Sequence, residues 1–514
     1  MKQPAKRSIA IILMVFVLTA MFAGCAQNSN VSKNDQTKQS AAKPTEPLEI
    51  KFMSPLFENV PDMNNPWWTE FQKKTNTKWN IEWVPTGDYD SKLDMVLASG
   101  DLPDITVSLN LAKPTLVSAI KKGAFWDLTP VLGDFSKYPN LKKNPTPNAW
   151  SQVKVDGKIW GVPRSRPQID LGIKIRKDWL DKLGIPMPAT LDEYRVALKK
   201  IVDSDMDGNG KKDTLGLIGY GFIMQDSDSV FMTAFGCYDL VKDADGGLIH
   251  PYLTGGYSDY VEYMRNLYAD GILAKEFSVM KSTQAEELFT TGRAASYTRN
   301  IWRDYAFQEQ IRKVQPEAAV ETIPPMKAPK GGLTAWLARG VYGAFYISKK
   351  VPQDKLMRIM DFYESTTTEE WLNMCYFGIE GVHYTMVNGQ KTLNDRGTKE
   401  IGTSVQQPTA LMNNTWAKVV YPGAPKDYND AKLKSVEVIS KLGKINPFEA
   451  TVSDSWTNTW PKYDKEFQAN TIKAIVGQIS MEEYRKYQES LRNMPDFKKA
   501  FKELTESYNG IFGK

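Results

Sequence analysis

Histidine is nearly absent from this chain: His250 and His383 are the only two among 514 residues. So few imidazoles poorly supply a zinc centre or a histidine-based nucleophilic triad. Cysteine is almost as scarce. Cys25 stands near the N-terminus, while Cys237 and Cys375 each lie in apolar surroundings, which favours two buried free thiols over a disulfide framework. Long lysine or arginine blocks are missing as well. A formal net charge of +5, spread over 65 basic and 60 acidic residues, gives nucleic-acid binding no support. No internal repeat is visible, and the apolar run from Ile9 to about Phe22 is too short to be preferred as a permanent membrane span.

What is present begins with that run. Lys2, Lys6 and Arg7 precede it, and Ala23 and Gly24 follow it directly before Cys25, an order that marks residues 1–24 as a secretory signal. The junction resembles a lipobox, with Phe22 where that motif more often has leucine, and implies cleavage before Cys25 and acylation of that residue. Ordinary secretion with a coincidental cysteine is the alternative. Residues 25–47 are polar, rich in Asn, Gln, Ser and Lys, and lack apolar periodicity. They read as a flexible tether.

The remaining chain is too long for one ordinary core and suits two large lobes. "LEIKFMSP" reads as a strand. A helix beginning after Pro66 packs Trp67/Trp68 and Phe71, Trp79 to Val84 alternate as a second strand, and a helix carrying Leu93, Val96 and Leu97 stops at Gly100 before the strand "DITVS". Strands separated by helices imply an α/β lobe with a mainly parallel sheet. Further strands are expected at Lys158 to Val162 and Gly172 to Ile175, on either side of a Pro/Arg-containing crossing. Beyond it, Thr190 with Glu193, Thr283 with Glu286, and Ser480 with Glu483 carry the spacing of capping boxes.

Directly after the Thr190 helix comes "DSDMDGNGKKDTLG". Oxygen-bearing side chains at every second position, with Gly208 and Gly210 letting the chain coil tightly, can turn several ligands toward a hard cation. Two registers are open. Starting at Asp203 places Asp203, Asp205, Asp207 and Asn209 at positions one, three, five and seven; starting at Asp205 places Asp205, Asp207 and Asn209 at one, three and five, the Lys211 carbonyl at seven and Asp213 at nine. An Asx-rich turn without metal is the bland reading. All-oxygen ligation favours Ca2+, and with no base beside an exposed nucleophile the loop reads as a structural staple.

Binding chemistry is sought among the aromatics, of which 14 are tryptophans and 23 tyrosines. Sugar rings present apolar C–H faces that stack on indoles, while their hydroxyls need donors and acceptors. Trp67, Trp68, Trp302, Trp336, Trp456 and Trp460 stand in Gly/Pro/Asn/Ser-rich contexts. Trp302 and Trp456 rank first, because they flank expected crossings or loops; Trp67 and Trp68 are expected to split, one inward and one exposed. Arg164, Arg166, Arg299, Arg303, Asp101 and Asp104 are candidate hydroxyl partners. Core packing competes at every one of the tryptophans, and "SGDLPDI" is architectural first.

The lipobox, the tether, "SGDLPDI", "IRKDWLDKLGIPMPATLDEY", "DMDGNGKKDTLGL" and "YFGIEGVHYTMVNG", in this order, resemble the large extracellular solute-binding lipoproteins of carbohydrate ABC importers, family 1, close to the LipO-like group. The resemblance spans nearly the whole mature chain. It implies a periplasmic-binding-protein-like, two-lobed α/β clamp with discontinuous lobes: 48–165 with 297–370, and 170–295 with 372–514, hinged near 166–170, 296 and 371. It also implies a monomer that binds an oligosaccharide in the cleft, a membrane permease as partner, and a calcium in the second loop register. The family often carries a further carboxylate where this chain has Thr214. A secreted glycosidase or lyase and a cell-surface adhesion module are the rival classes, and no convincing catalytic constellation favours the enzyme.

Overall fold

Asn65 starts the first helix. In this computed structural model, which describes residues 46–513 apart from 58, 222–224, 388, 403, 411–418 and 422–423, its side chain accepts a hydrogen bond from the Trp68 N–H, and Pro66 sets the first helical φ of Pro66–Thr75. The helix ends at Asn76, whose φ of 49° is left-handed, and that turn delivers strand Thr77–Pro85 alongside Leu48–Leu56 in parallel. Trp67 and Trp68 are both wholly buried. The expected division between them is overturned: Trp67 stacks on Phe71, and its indole N–H donates to the Met374 carbonyl, so neither ring is a ligand platform. Cys25, the leader and the tether up to residue 45 lie outside the described residues.

Two sheets organise the fold. The first has five strands in the order Thr77–Pro85, Leu48–Leu56, Ile105–Ser108, Val341–Ile347 and Gly161–Ser165. Its first three run parallel, whereas Val341–Ile347 is antiparallel to both neighbours. The second has four strands: Val320–Thr322, Leu171–Arg176, Ala294–Asn300 and Leu215–Ile218. Here the only parallel pair is Leu215–Ile218 with Ala294–Asn300. The mainly parallel expectation therefore gives way to mixed sheets, because strands that return from the other half of the chain insert antiparallel.

Each sheet has its own core, so the protein is a two-lobed α/β structure. The expected crossing near 296 is not there. Ala294–Asn300 runs straight through it, with Leu171 opposite Asn300, and the following helix Asp304–Arg312 packs Phe307 against Tyr297 and Phe289 in the second lobe. The chain returns to the first sheet only after Gly340, whose φ is 78°. Likewise Leu372, Met374, Cys375, Val405 and Ala410 belong to the first core, which corrects the expectation that 372 onward joins the other lobe. The outbound and return crossings lie side by side: Arg166 N–H donates to the Gly340 carbonyl at 3.0 Å, and Ala338 N–H to the Gln168 carbonyl at 2.7 Å.

Thr190 with Glu193 and Ser480 with Glu483 form reciprocal capping boxes as expected. The third expectation fails. Helix Ser282–Thr290 starts two residues earlier, with Gln284 accepting from the Lys281 N–H, and Glu286 is left available for another partner. Cys237 and Cys375 are buried free thiols in separate cores.

Candidate functional site

A cavity of about 1310 Å³ opens between the two cores, beside the paired crossings. Strand ends supply its walls. From the first lobe come Arg164 on Gly161–Ser165, Tyr342 on Val341–Ile347, Tyr376 and Gln407; from the second come Arg299 and Asn300 at the end of Ala294–Asn300, then Trp302 and Arg303 in the turn that follows, and Trp336. Arg166 and Arg339 come from the crossings themselves. Of the candidate ligand residues, the structure brings together Arg164, Trp302, Arg303 and Trp336, with Arg166 and Arg299 beside them.

The arginines are held in different ways. Arg164 is fully buried; its guanidinium donates to Gln407 Oε1 at 2.9 Å and to the Tyr342 carbonyl at 3.3 Å, while its Nε–H has no partner. Burial first, and the charge of Arg166 second, push its pKa down. Arg303 grips Glu286 through two bonds of 2.6 Å and covers the Phe307 ring. Arg299 donates to the Tyr220 hydroxyl at 2.8 Å. Arg339 donates to the Val341 and Leu109 carbonyls at 3.1 Å each, and Arg166 to the Ser165 carbonyl at 2.9 Å. The buried indole N–H of Trp336 also lacks a partner.

Trp456 and Trp460 are elsewhere. Four residues apart on helix Asp454–Ile475, they share one face and stack at 4.7 Å, with His250 laid on Trp456 at 3.9 Å. This face packs on the second core through Phe467 and Phe497, so helical spacing, not a ligand, accounts for the pair. Asp101 stands exposed in the turn after Gly100, its N–H donating to Ser99 Oγ, and does not line the cavity. Asp104 is architectural, accepting from the Lys51 N–H and from Lys355. Conversely, Arg339, Tyr342, Tyr376, Gln407 and Tyr421 line the cavity without having been singled out. Gly340 between Arg339 and Val341 was the available signal, since it marks the true return crossing.

The acidic loop lies at the end of helix Leu191–Val202. Gly208 and Gly210 take φ of 71° and 78°, which lets the chain fold back so that Asp205 accepts from the N–H groups of Asn209 and Gly210. Asp203 is held instead by Lys199 at 2.6 Å, which disfavours the register beginning there. The Asn209 amide donates to Asp207 and Asp213, and the Lys211 N–H donates to Asn209 Oδ1. Thr214, where the family often has a carboxylate, closes the base of the loop by accepting from Met206 and donating to Ser204.

Does this loop fit calcium? The Asp207 side chain is 2% exposed, yet its Oδ1 is without a partner; burial raises its pKa against the pull of Arg293. An orphaned carboxylate oxygen among oxygen donors suits a hard cation. Among the described residues, however, no three His, Cys, Asp or Glu side chains are arranged to hold a metal. Arg293 bridges them, at 2.8 Å from Asp207 and 3.0 Å from Asp213.

Comparison with known proteins gives one family and several relatives. The bacterial extracellular solute-binding protein family matches residues 67–379. The polygalacturonan/rhamnogalacturonan-binding protein YtcQ of Bacillus subtilis (strain 168) is 29% identical over 514 residues, covering 97% of this chain and 99% of the relative. Lipoprotein LipO of the same organism is 26% identical over 474 residues, covering 89% and 90%. Among solved structures, the alginate-binding protein AlgQ2 without calcium ion superposes with a TM-score of 0.67 at 18% identity, covering 91% of this chain and 99% of that one.

Proposed function

Because this chain belongs to the bacterial extracellular solute-binding proteins, we propose that it is the receptor of a carbohydrate ABC importer, capturing an oligosaccharide between its lobes and releasing it unchanged to a membrane permease. The observation that carries this reading is the cleft. Its volume of about 1310 Å³ exceeds the roughly 300–1,000 Å³ of ordinary small-molecule pockets, and it combines indole and phenol rings with guanidinium and amide donors, the pairing that sugar faces and hydroxyls require. The ligands for which YtcQ and AlgQ2 are named, both polysaccharides, support the same class.

In this reading the lobes are 48–165 with 341–410 and 171–337 with 419–513, and the crossings at 166–170 and 338–340 form part of the hinge. The protein acts as a monomer, tethered to the outer face of a membrane through acylated Cys25, as the relationship to a lipoprotein supports. Calcium, where it binds, is held by Asp205, Asp207, Asn209, Asp213 and the Lys211 carbonyl, and it stiffens one lobe without chemistry. A glycosidase or lyase is disfavoured: neither histidine lines the cleft, and among the described residues its carboxylates are Asp170, which accepts from Asn300 at 2.5 Å, and Glu449.

The test is calorimetry of the mature protein against oligosaccharides cut from plant and microbial polysaccharides, with chromatography of the recovered ligand. Saturable one-to-one binding with intact sugar is expected. Shortened or unsaturated products would move the protein to the enzyme class, and binding of peptides alone would replace the ligand class. Mass spectrometry of membrane-extracted protein should find a diacylglycerol addition on Cys25; a soluble product cleaved elsewhere would remove the anchor.

A further inference from the structure

The cleft carries more positive charge than hydroxyl recognition needs. Among the described residues five arginines line it against two carboxylates, Asp170 and Glu449. Arg303 is neutralised by Glu286, but among the described residues Arg166 and Arg164 have no carboxylate partner, and Arg339 makes no salt bridge, its charge acting only at a distance on the buried Glu449. Their hydrogen bonds go to neutral groups: Ser165 for Arg166, Val341 and Leu109 for Arg339, Tyr342 and Gln407 for Arg164. Such bonds fix a guanidinium in place without cancelling its charge. Holding cations half-buried and uncompensated is costly, and a ligand that brings the counter-charge removes the cost.

The surroundings add to the imbalance. Behind the second wall, Lys174 donates to the Arg299 carbonyl at 2.7 Å while sharing Asp304 with Lys432, two buried cations on one carboxylate. Burial raises the Glu449 carboxyl against the opposing pull of Arg339, which weakens one of the two negative charges in the lining. Arg166 and Arg339 lie on chain segments joined by the bond from Arg166 N–H to Gly340, so their backbones are tied to one another. Nearby in sequence, Trp336 contributes the unpartnered N–H.

We propose that the oligosaccharide bound here is anionic, its rings bearing carboxylates, and that Arg166 and Arg339 seat the acid group, with Trp336 in the same lining. This rests on the oligosaccharide reading above and narrows it. Arg164 is the brace of the wall, held from within by Tyr342 and Gln407. A carboxylate suits this site because two guanidinium forks match its planar oxygens, and the cationic walls concentrate such a ligand from solution.

Calorimetry can separate charge from shape. A galacturonate oligosaccharide, the same compound after methyl esterification, and a neutral oligosaccharide of equal length are titrated into the intact mature protein at low and high salt. The acid should bind on the order of 10- to 100-fold more tightly than its ester, and the preference should shrink as salt rises. Arg166→Gln and Arg339→Gln should each weaken the acid by about 10-fold while moving the ester only a few-fold. Esterification is tested on the unaltered protein, so it stands even if a variant misfolds. Equal or tighter binding of the ester or the neutral sugar would overturn the charge inference and leave the oligosaccharide receptor intact. Binding of simple dicarboxylates with no saccharide bound would overturn the receptor reading itself, and silence toward all three sugars would count against both.

Discussion

Lys174 on strand Leu171–Arg176 lies 2.8 Å from Asp304 on helix Asp304–Arg312, with the two side chains 0% and 1% exposed. Lys432, reaching in from helix Lys426–Leu442, bonds the other oxygen of the same carboxylate, and Thr322 donates to it at 2.5 Å. Three separate stretches of the second lobe thus converge on one buried anion.

Removing that anion should be severe. Asp304→Asn leaves two lysines without a counter-charge and is expected to cost about 3–5 kcal/mol, read as a lowered urea midpoint with unchanged slope. Burial alone would raise the Asp304 carboxyl, but Lys174 and Lys432 outweigh it and hold its pKa below the ordinary value. The associated stability is present above the unfolded-state pKa and is lost as pH falls through the folded one. A variant as stable as the parent would show that the cluster contributes nothing net.

His250 gives a second acid response. Burial depresses its pKa to about 3, beneath Trp456. The unfolded chain takes up a proton near the usual value of about 6.5, so stability should decline as pH drops from there toward 3. At the acid limit the loss is on the order of 4 kcal/mol, less to the extent that the half-buried ring keeps contact with water. His250→Phe should flatten this part of the pH profile of the melting temperature; an unchanged profile would assign the decline to carboxylates.

The tryptophans should divide cleanly. Trp302→Ala and Trp336→Ala are expected to weaken saccharide binding by about 10-fold or more, comparable with 1–3 kcal/mol of stacking and hydrogen bonding. Trp67→Ala should instead cost about 3–5 kcal/mol of stability. Trp456→Ala should destabilise the second lobe while leaving the dissociation constant of the folded protein unchanged. Loss of affinity in Trp456→Ala at full stability would place a binding surface on that helix.

Calcium should act on stability alone. Saturating calcium raises the folding free energy by about 2.7 kcal/mol at 100 times its dissociation constant, so chelator is expected to lower the melting temperature by a few degrees without changing saccharide affinity in the folded protein. Asp213→Asn should reduce the response. Because Arg293 already bridges Asp207 and Asp213, the metal-free loop should stay folded. A melting temperature indifferent to calcium and chelator would make Arg293 the permanent occupant of the loop's charge.

Local order was largely legible where the residues that encode it are neighbours, although the Thr283/Glu286 spacing gave way to a start at Lys281. The Thr190 and Ser480 caps, the Pro66 helix start and the tight turns of the acidic loop follow from backbone geometry within a few positions, and the structure places them accordingly. Lobe membership was not local. Whether residues 297–337 stay with the second sheet depends on Val320–Thr322 pairing with Leu171–Arg176, a register that no short window contains. The same limit governed the cleft. Trp302 and Arg164 were recognisable by type and setting, but Trp67, Trp456 and Trp460 have equally suggestive settings, and only packing separates an indole that faces Phe71 from one that faces a cavity.

The paired crossings have a mechanical consequence. If the proposed hinge holds, two segments bonded at Arg166–Gly340 and at Ala338–Gln168 would behave as a leaf spring, compliant in bending across the thin direction and stiff toward twist. Motion of one lobe against the other would then be channelled toward a single swing. Arg166 and Arg339 sit on the crossings themselves and would move least, whereas Trp302 and Tyr376 stand off them and would travel further. An acid group would thus be anchored before the aromatic walls meet it. Stopped-flow indole fluorescence should resolve this order as an early phase slowed by salt and a later one that salt leaves alone, and a single salt-sensitive phase would mean that anchoring and closure are one event.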